Sequence, residues 1–249
     1  MKFSTTSKEK VKNKIYYYGK DEEENKYFGK KYLDESDGKE KILNEVKFLN
    51  LLSKYNFVPK VKFFNLKDCL ILYENIEGQN LKNKIYDIDE TIQIILQICN
   101  ILEKIHMHGY IYGDLKPSNI IMTGKNLMLV DYESVTEIGK PLYYYSKVYC
   151  SPYQKVILAA VYQFDLYSLG IVFLELLIGY DKIKYYFDKN KISEINPNEI
   201  IINLPLEINN IIKRLLSPSI KDNYSNVLEV RKELLDYVGK GEKNANFNN

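Results

Sequence analysis

Apolar residues recur along this chain with two different periods. Early on they alternate with polar ones: residues 14–18 (Lys-Ile-Tyr-Tyr-Tyr) and 26–33 (Lys-Tyr-Phe-Gly-Lys-Lys-Tyr-Leu) predict strands, and the acidic stretch 19–25 predicts a hairpin turn between them. An exposed loop at 34–40 leads to a helix with Glu45, Leu49 and Leu52 on one side. Residues 56–64 and 68–74 predict two more strands. From 91 to 106 the period changes: Ile92, Ile95, Cys99, Leu102 and Ile105 recur at helical spacing, with Asp87 and Glu90 as a capping box ahead of them. Residues 120–122, a turn at Gly124 and residues 126–131 predict a hairpin that ends on an acid. The stretch 164–179 is apolar nearly all round, as a central buried helix is, with Gly179 to end it. Two closing helices fall at 208–216 and 227–238, and the polar residues 239–249 predict a disordered tail.

Composition narrows the class only a little. With 249 residues and 45% hydrophobic content the chain can bury one large core or two smaller ones. A net charge of +2 encodes no pull toward nucleic acid or membrane. The most apolar stretch, around 166–178, contains Glu175 and is short for a membrane span. No apolar run at the start predicts a secretory leader, and Cys69, Cys99 and Cys150 have no metal-like spacing, so reduced thiols in a cytoplasmic protein are expected. His106 and His108 have no carboxylate or cysteine spaced to make them metal ligands.

The chemistry is concentrated between the 91–106 helix and the hairpin. Residues 111–121 read Ile-Tyr-Gly-Asp-Leu-Lys-Pro-Ser-Asn-Ile-Ile, a short polar loop between buried segments that presents Asp114, Lys116 and Asn119. A carboxylate there can orient a hydroxyl and accept its proton, an ammonium can neutralise charge on a phosphoryl group, and an amide oxygen can hold a divalent metal. The loop resembles the catalytic loop of the protein-kinase superfamily, with Tyr112 and Gly113 in place of the usual His-Arg. Asp131-Tyr-Glu133 stands where that superfamily has Asp-Phe-Gly, and residues 164–170 resemble its Asp-Val-Tyr-Ser-Leu-Gly helix. Cys150-Ser-Pro-Tyr-Gln154 is similar to its Ala-Pro-Glu motif, with Tyr153 at the glutamate and Asn223 where the arginine partner belongs, so both members of one buried ion pair are replaced together.

The resemblance implies an α+β, bilobal fold: a small antiparallel sheet with one helix over residues 1–77, and a larger, mainly helical lobe over 78–238, with ATP between them. It also implies roles. Asp114 and Lys116 are catalytic, Asn119 and Asp131 bind Mg2+ (or Mn2+), Tyr73 is the gatekeeper, and the backbone of Glu74 and Ile76 faces the adenine. Lys31, two residues after the small Gly29 and so on its face of the strand, is the expected ATP lysine, with Glu45 as its helix partner; Lys30 competes, but it shares a face with the bulky Phe28. The phosphate-covering loop falls on residues 4–11, which contain no glycine. The implied activity is transfer of the ATP γ-phosphoryl group to Ser or Thr of a protein or peptide. The alternatives are a pseudokinase that docks partners and a small-molecule phosphotransferase of the aminoglycoside or choline type, which shares Gly-Asp and Asp-Tyr-Glu.

Overall fold

The computed structural model describes residues 3–189, 192, 201 and 203–247. The chain forms two compact units: one joins the residues up to Gln79 with Ile121–Val135, and the other contains Asn80–Ile120 and the residues from Thr136 onward.

In the first unit, strands β1 (Phe3–Val11), β2 (Lys14–Asp21), β3 (Lys26–Tyr32), β4 (Val61–Asn65) and β5 (Leu70–Glu74) form one sheet in the order β1-β2-β3-β5-β4. Every neighbouring pair is antiparallel. Residues 4–11 are therefore strand, not the phosphate-covering loop expected there. They pair along β2 with a register shift between Thr5 and Ser7, and the hairpin closes in two residues, Lys12 and Asn13, with Lys12 left-handed at φ +53°. Helix α1 (Glu35–Leu51) starts earlier than the expected loop at 34–40 allows, because the Asp34 side chain caps it, accepting from the Asp37 amide at 3.0 Å. Gly38 fits because a Cβ there would lie 2.5 Å from Tyr32 Cβ.

The hairpin of Ile120–Thr123 and Asn126–Leu129 continues into Asp131. Residues 121–135 belong to the sheet unit for a physical reason: the Leu129 amide donates to the Phe57 carbonyl (3.0 Å), the Asn44 side chain to the Val135 carbonyl (3.0 Å), and the Tyr132 amide to Glu45 (3.2 Å). A single cut after residue 77 misses this return of the chain.

The second unit is built on α2 (Ile88–Met107) and α3 (Tyr162–Ile178), both at their expected places. Asp87 caps α2 through the Glu90 amide at 2.8 Å. Helix α3 is buried on all sides, and Gly170 lets the helix Leu206–Leu215 approach: a Cβ there would meet Leu215 Cβ at 2.8 Å. Gly179 ends α3 at φ +86°. The last helix, Val227–Phe247, packs on α2 and is tied to it by Arg231 and Glu103. It runs through most of the expected disordered tail, since no proline interrupts 239–247 and each added residue gains a backbone hydrogen bond. Among the described residues, no helix is long and apolar enough to cross a membrane.

Candidate active site

Each unit gathers its own set of charged side chains. In the sheet unit, strand alternation puts Phe28, Lys30 and Tyr32 on one face of β3. The Lys30 ammonium lies 2.9 Å from Glu45 Oε2, 3.0 Å from Asp131 Oδ1 and 2.8 Å from Glu133 Oε1, so each of its three protons has a carboxylate to meet. Lys30 is 3% exposed and Glu45 not at all.

The expected lysine is thus corrected: Lys30, not Lys31, pairs with Glu45. Lys31 stands between Ile15 and Leu70 in the sheet and faces the other way. The premise that failed was that a small residue must share the lysine's face. Phe28 is accommodated instead by aromatic neighbours, stacking on Tyr16 (5.7 Å between centroids) and on Tyr73 (6.1 Å). Gly29 has a different use, since a Cβ there would come within 2.6 Å of Leu72 Cδ2.

Electrostatics follow from this crowding. Burial opposes the charge on Lys30, but Asp131 and Glu45 outweigh it and hold the ammonium well above its ordinary range. Burial pushes the Asp131 carboxyl up to about 6, with Glu133 adding to the rise and Lys30 and Lys14 opposing it. Burial also works against the Glu133 carboxylate, yet Lys30, Asp131 and Lys14 together hold it below the usual range. Asp131 itself adopts a left-handed backbone, φ +67°. Its neighbour Tyr132 is fully buried, its ring 5.6 Å from that of Phe48.

Of the residues expected at the nucleotide, Tyr73 is buried on β5 with Lys30 6.0 Å over its ring. The Glu74 side chain pairs with Lys62 and Lys60, and its amide donates to the Lys60 carbonyl at 3.0 Å. Ile76, just beyond β5, is half-buried. The donor set fits a metal-bound polyphosphate: ammoniums suited to phosphate oxygens, a carboxylate suited to a hard divalent cation, and aromatic faces suited to a flat base.

In the helical unit, Asp114, Lys116 and Asn119 do come together. Lys116 bonds Asp114 Oδ2, and the Asn119 amide donates to the Asp114 carbonyl (3.1 Å) and to Oδ2 (3.2 Å). Ser146, which in sequence reads as a packing residue or a modification site, completes the group: its amide donates to Asp114 Oδ1 (3.0 Å) and its hydroxyl accepts from Lys116 (2.8 Å). The only available signal was a lone hydroxyl in a tyrosine-rich stretch.

Asp165, at the start of α3, holds the loop from behind. It accepts from the amides of Tyr112 (2.7 Å) and Gly113 (2.8 Å) and meets His106 Nε2 at 2.9 Å. Gly113 sits at φ +81°, which glycine adopts freely. Tyr153 and Asn223, the pair standing in for a lost Glu and Arg, also meet: the Asn223 amide donates to the Tyr153 hydroxyl at 3.2 Å.

Comparison with known proteins decides what this arrangement belongs to. A family model described as the protein kinase domain matches residues 14–237. The chain belongs to the protein kinase domain family. A probable serine/threonine-protein kinase PknB of Lactococcus lactis subsp. lactis is 28% identical over 201 residues, covering 72% of this chain and 32% of that protein. A probable serine/threonine-protein kinase of Clostridium acetobutylicum is 26% identical over 186 residues, covering 66% of this chain and 28% of that protein. The chain spans about a third of the length of these curated relatives. The solved structure of the Cydia pomonella granulovirus kinase PK-1 shares the fold, with a TM-score of 0.72, 18% identity and coverage of 93% of each chain.

Proposed function

We propose that this kinase domain transfers the γ-phosphoryl group of ATP to Ser or Thr hydroxyls of a protein or peptide. The observation that carries the reading is the buried Lys30–Glu45 pair with Asp131 bonded to the same ammonium. Within the kinase family, three groups needed for nucleotide chemistry are thereby held in one place despite low sequence identity. The curated relatives bear serine/threonine-protein kinase names, which supports the acceptor class.

ATP with its divalent metal supplies the phosphoryl group and neutralises its charge. The residues of the chain have separate tasks. Lys30 binds phosphate oxygens, with Glu45 fixing its direction. Asp131 and Asn119 are the proposed metal ligands, for Mg2+ or Mn2+. Asp114 orients the acceptor hydroxyl and accepts its proton, while Lys116, beside it, offsets negative charge as that proton leaves. Ser146 holds both Asp114 and Lys116 in position through the bonds described above.

A second reading, a binding module without transfer, is favoured by one observation: all three Lys30 protons are already engaged by carboxylates. Incubation with γ-labelled ATP and either metal in lysate separates the two. Label in protein that disappears in Asp114→Asn supports transfer to protein. Label confined to small molecules would redirect the reading to a small-molecule acceptor, and no Asp114-dependent label in either fraction would leave the binding module.

A further inference from the structure

Beside the Lys30 cluster of the sheet unit stands a second lysine to which the reading above gives no task. Lys14 is the first residue of β2, directly after the two-residue turn, and it shares one face of that strand with Tyr16 and Tyr18. Those two positions carry aromatic rings that pack on Phe28. Lys14 instead sends its ammonium to Glu133 Oε1, the same oxygen that accepts from Lys30. It also lies 5.3 Å over the Tyr32 ring, where Lys30 lies at 5.5 Å. Its side chain is 16% exposed.

The hydrogen-bond needs of the cluster do not explain this second lysine, because Lys30 alone already donates to Glu45, Asp131 and Glu133. Burial works against the Lys14 charge, and so does the neighbouring Lys30; only Asp131 and Glu133 sustain it. Two ammoniums therefore face three carboxylates. A divalent cation taken up by Asp131 would reverse that balance and leave an excess of positive charge among buried groups. Such a cluster is stable only if an anion arrives with the metal. The adjoining hairpin turn, Lys12-Asn13, carries no glycine whose amides might cradle a phosphate.

We propose that Lys14 is a second phosphate-binding residue of this domain. Its ammonium, which meets Glu133 in this structure, exchanges that carboxylate for a phosphate oxygen of the metal–nucleotide complex. The inference builds on the ATP-dependent reading above and adds to it how this chain binds the polyphosphate. Asp131 and Lys30 keep their places, and Glu133 becomes the parking position of the Lys14 ammonium.

The test is calorimetric titration of the full chain, wild type and Lys14→Met, with Mg2+–ADP, Mg2+–ATP and adenosine. The expected result is that Lys14→Met weakens ADP and ATP about tenfold or more, as loss of one charge-assisted hydrogen bond does, and leaves adenosine unchanged. Lys14→Arg, which keeps the charge, should recover most of the loss. Equal ADP and ATP affinity in wild type and Lys14→Met would overturn the inference while leaving the ATP reading intact. A wild type that binds none of the three would overturn both. Should Lys14→Met fail to fold, reductive methylation of the wild type decides the matter. Mg2+–ADP, but not adenosine, is expected to protect Lys14, and equal labelling with and without ADP would remove the assignment.

Discussion

At the scale of single residues, the decisive fact is which of two adjacent lysines faces Glu45. Lys30→Met leaves fully buried Glu45 and nearby Asp131 and Glu133 without their shared cation, a loss of about 3–5 kcal/mol in urea unfolding, together with loss of phosphotransfer. Lys31→Met, on the other face, should change unfolding by less than about 0.5 kcal/mol and leave transfer intact. The reverse pattern would put the ATP lysine back at 31. Sequence alone did not settle this choice. Both lysines sit in one strand, a shift of one residue exchanges faces, and the tie was broken on the size of Phe28, whose aromatic partners Tyr16 and Tyr73 lie on other strands.

Asp131 offers a second test, with a sign that depends on pH. Its folded-state pKa of about 6 lies above the ordinary 3.8, so the native state binds the proton more tightly than the unfolded chain does. The ionised carboxylate is therefore a burden on the metal-free fold above about pH 6, relieved as pH falls toward 3.8. Asp131→Asn removes that burden and leaves two ammoniums against two carboxylates. We expect the metal-free variant to melt higher than wild type at about pH 8, and the gain to vanish near pH 4. A variant that melts lower at pH 8 would mean that the Lys30 contact, not burial, governs Asp131.

At the scale of elements, α3 serves the catalytic loop in two ways that substitutions can separate. Asp165→Ala leaves the buried amides of Tyr112 and Gly113 unpaired, at about 1–3 kcal/mol each, and frees the loop that carries Asp114. Gly170→Ala drives a Cβ to 2.8 Å from Leu215 and costs about 1–3 kcal/mol by overpacking alone. Both variants should be destabilised in thermal melts, but at a temperature where both stay folded only Asp165→Ala should lose transfer rate. Comparable losses of rate in the two would show that Asp165 acts through helix packing and not through the loop amides. Helices α2 and α3 were legible from sequence because their periods and apolar lengths are long. The start of α1 was not, since Asp34 as a cap and Gly38 as a fit to Tyr32 both look like loop residues until the sheet is in place. The loop group was legible for Asp114, Lys116 and Asn119, which lie within six residues, but not for Ser146, which is 32 positions from Asp114.

At the scale of the whole molecule, the kinase-domain reading predicts a linkage between nucleotide and fold. A ligand that binds only the native state at about a hundred times its Kd stabilises by about 2.7 kcal/mol. For a chain of this size each kcal/mol moves the midpoint by about 2–4 °C, so saturating Mg2+–ATP should raise Tm by roughly 5–10 °C. Asp131→Asn should lose most of that rise, because its carboxylate is a proposed metal ligand. Asp114→Asn should keep it while losing transfer, because Asp114 is assigned to the acceptor hydroxyl and not to the nucleotide. Differential scanning fluorimetry with Mg2+–ATP, Mg2+–ADP and Mg2+ alone reads all three proteins in one experiment. If wild type shows no rise with either nucleotide, the ATP-dependent reading fails and the binding module takes its place. If Asp114→Asn loses the rise as well, Asp114 itself takes part in holding the nucleotide, and its assignment to the acceptor hydroxyl alone must be redrawn.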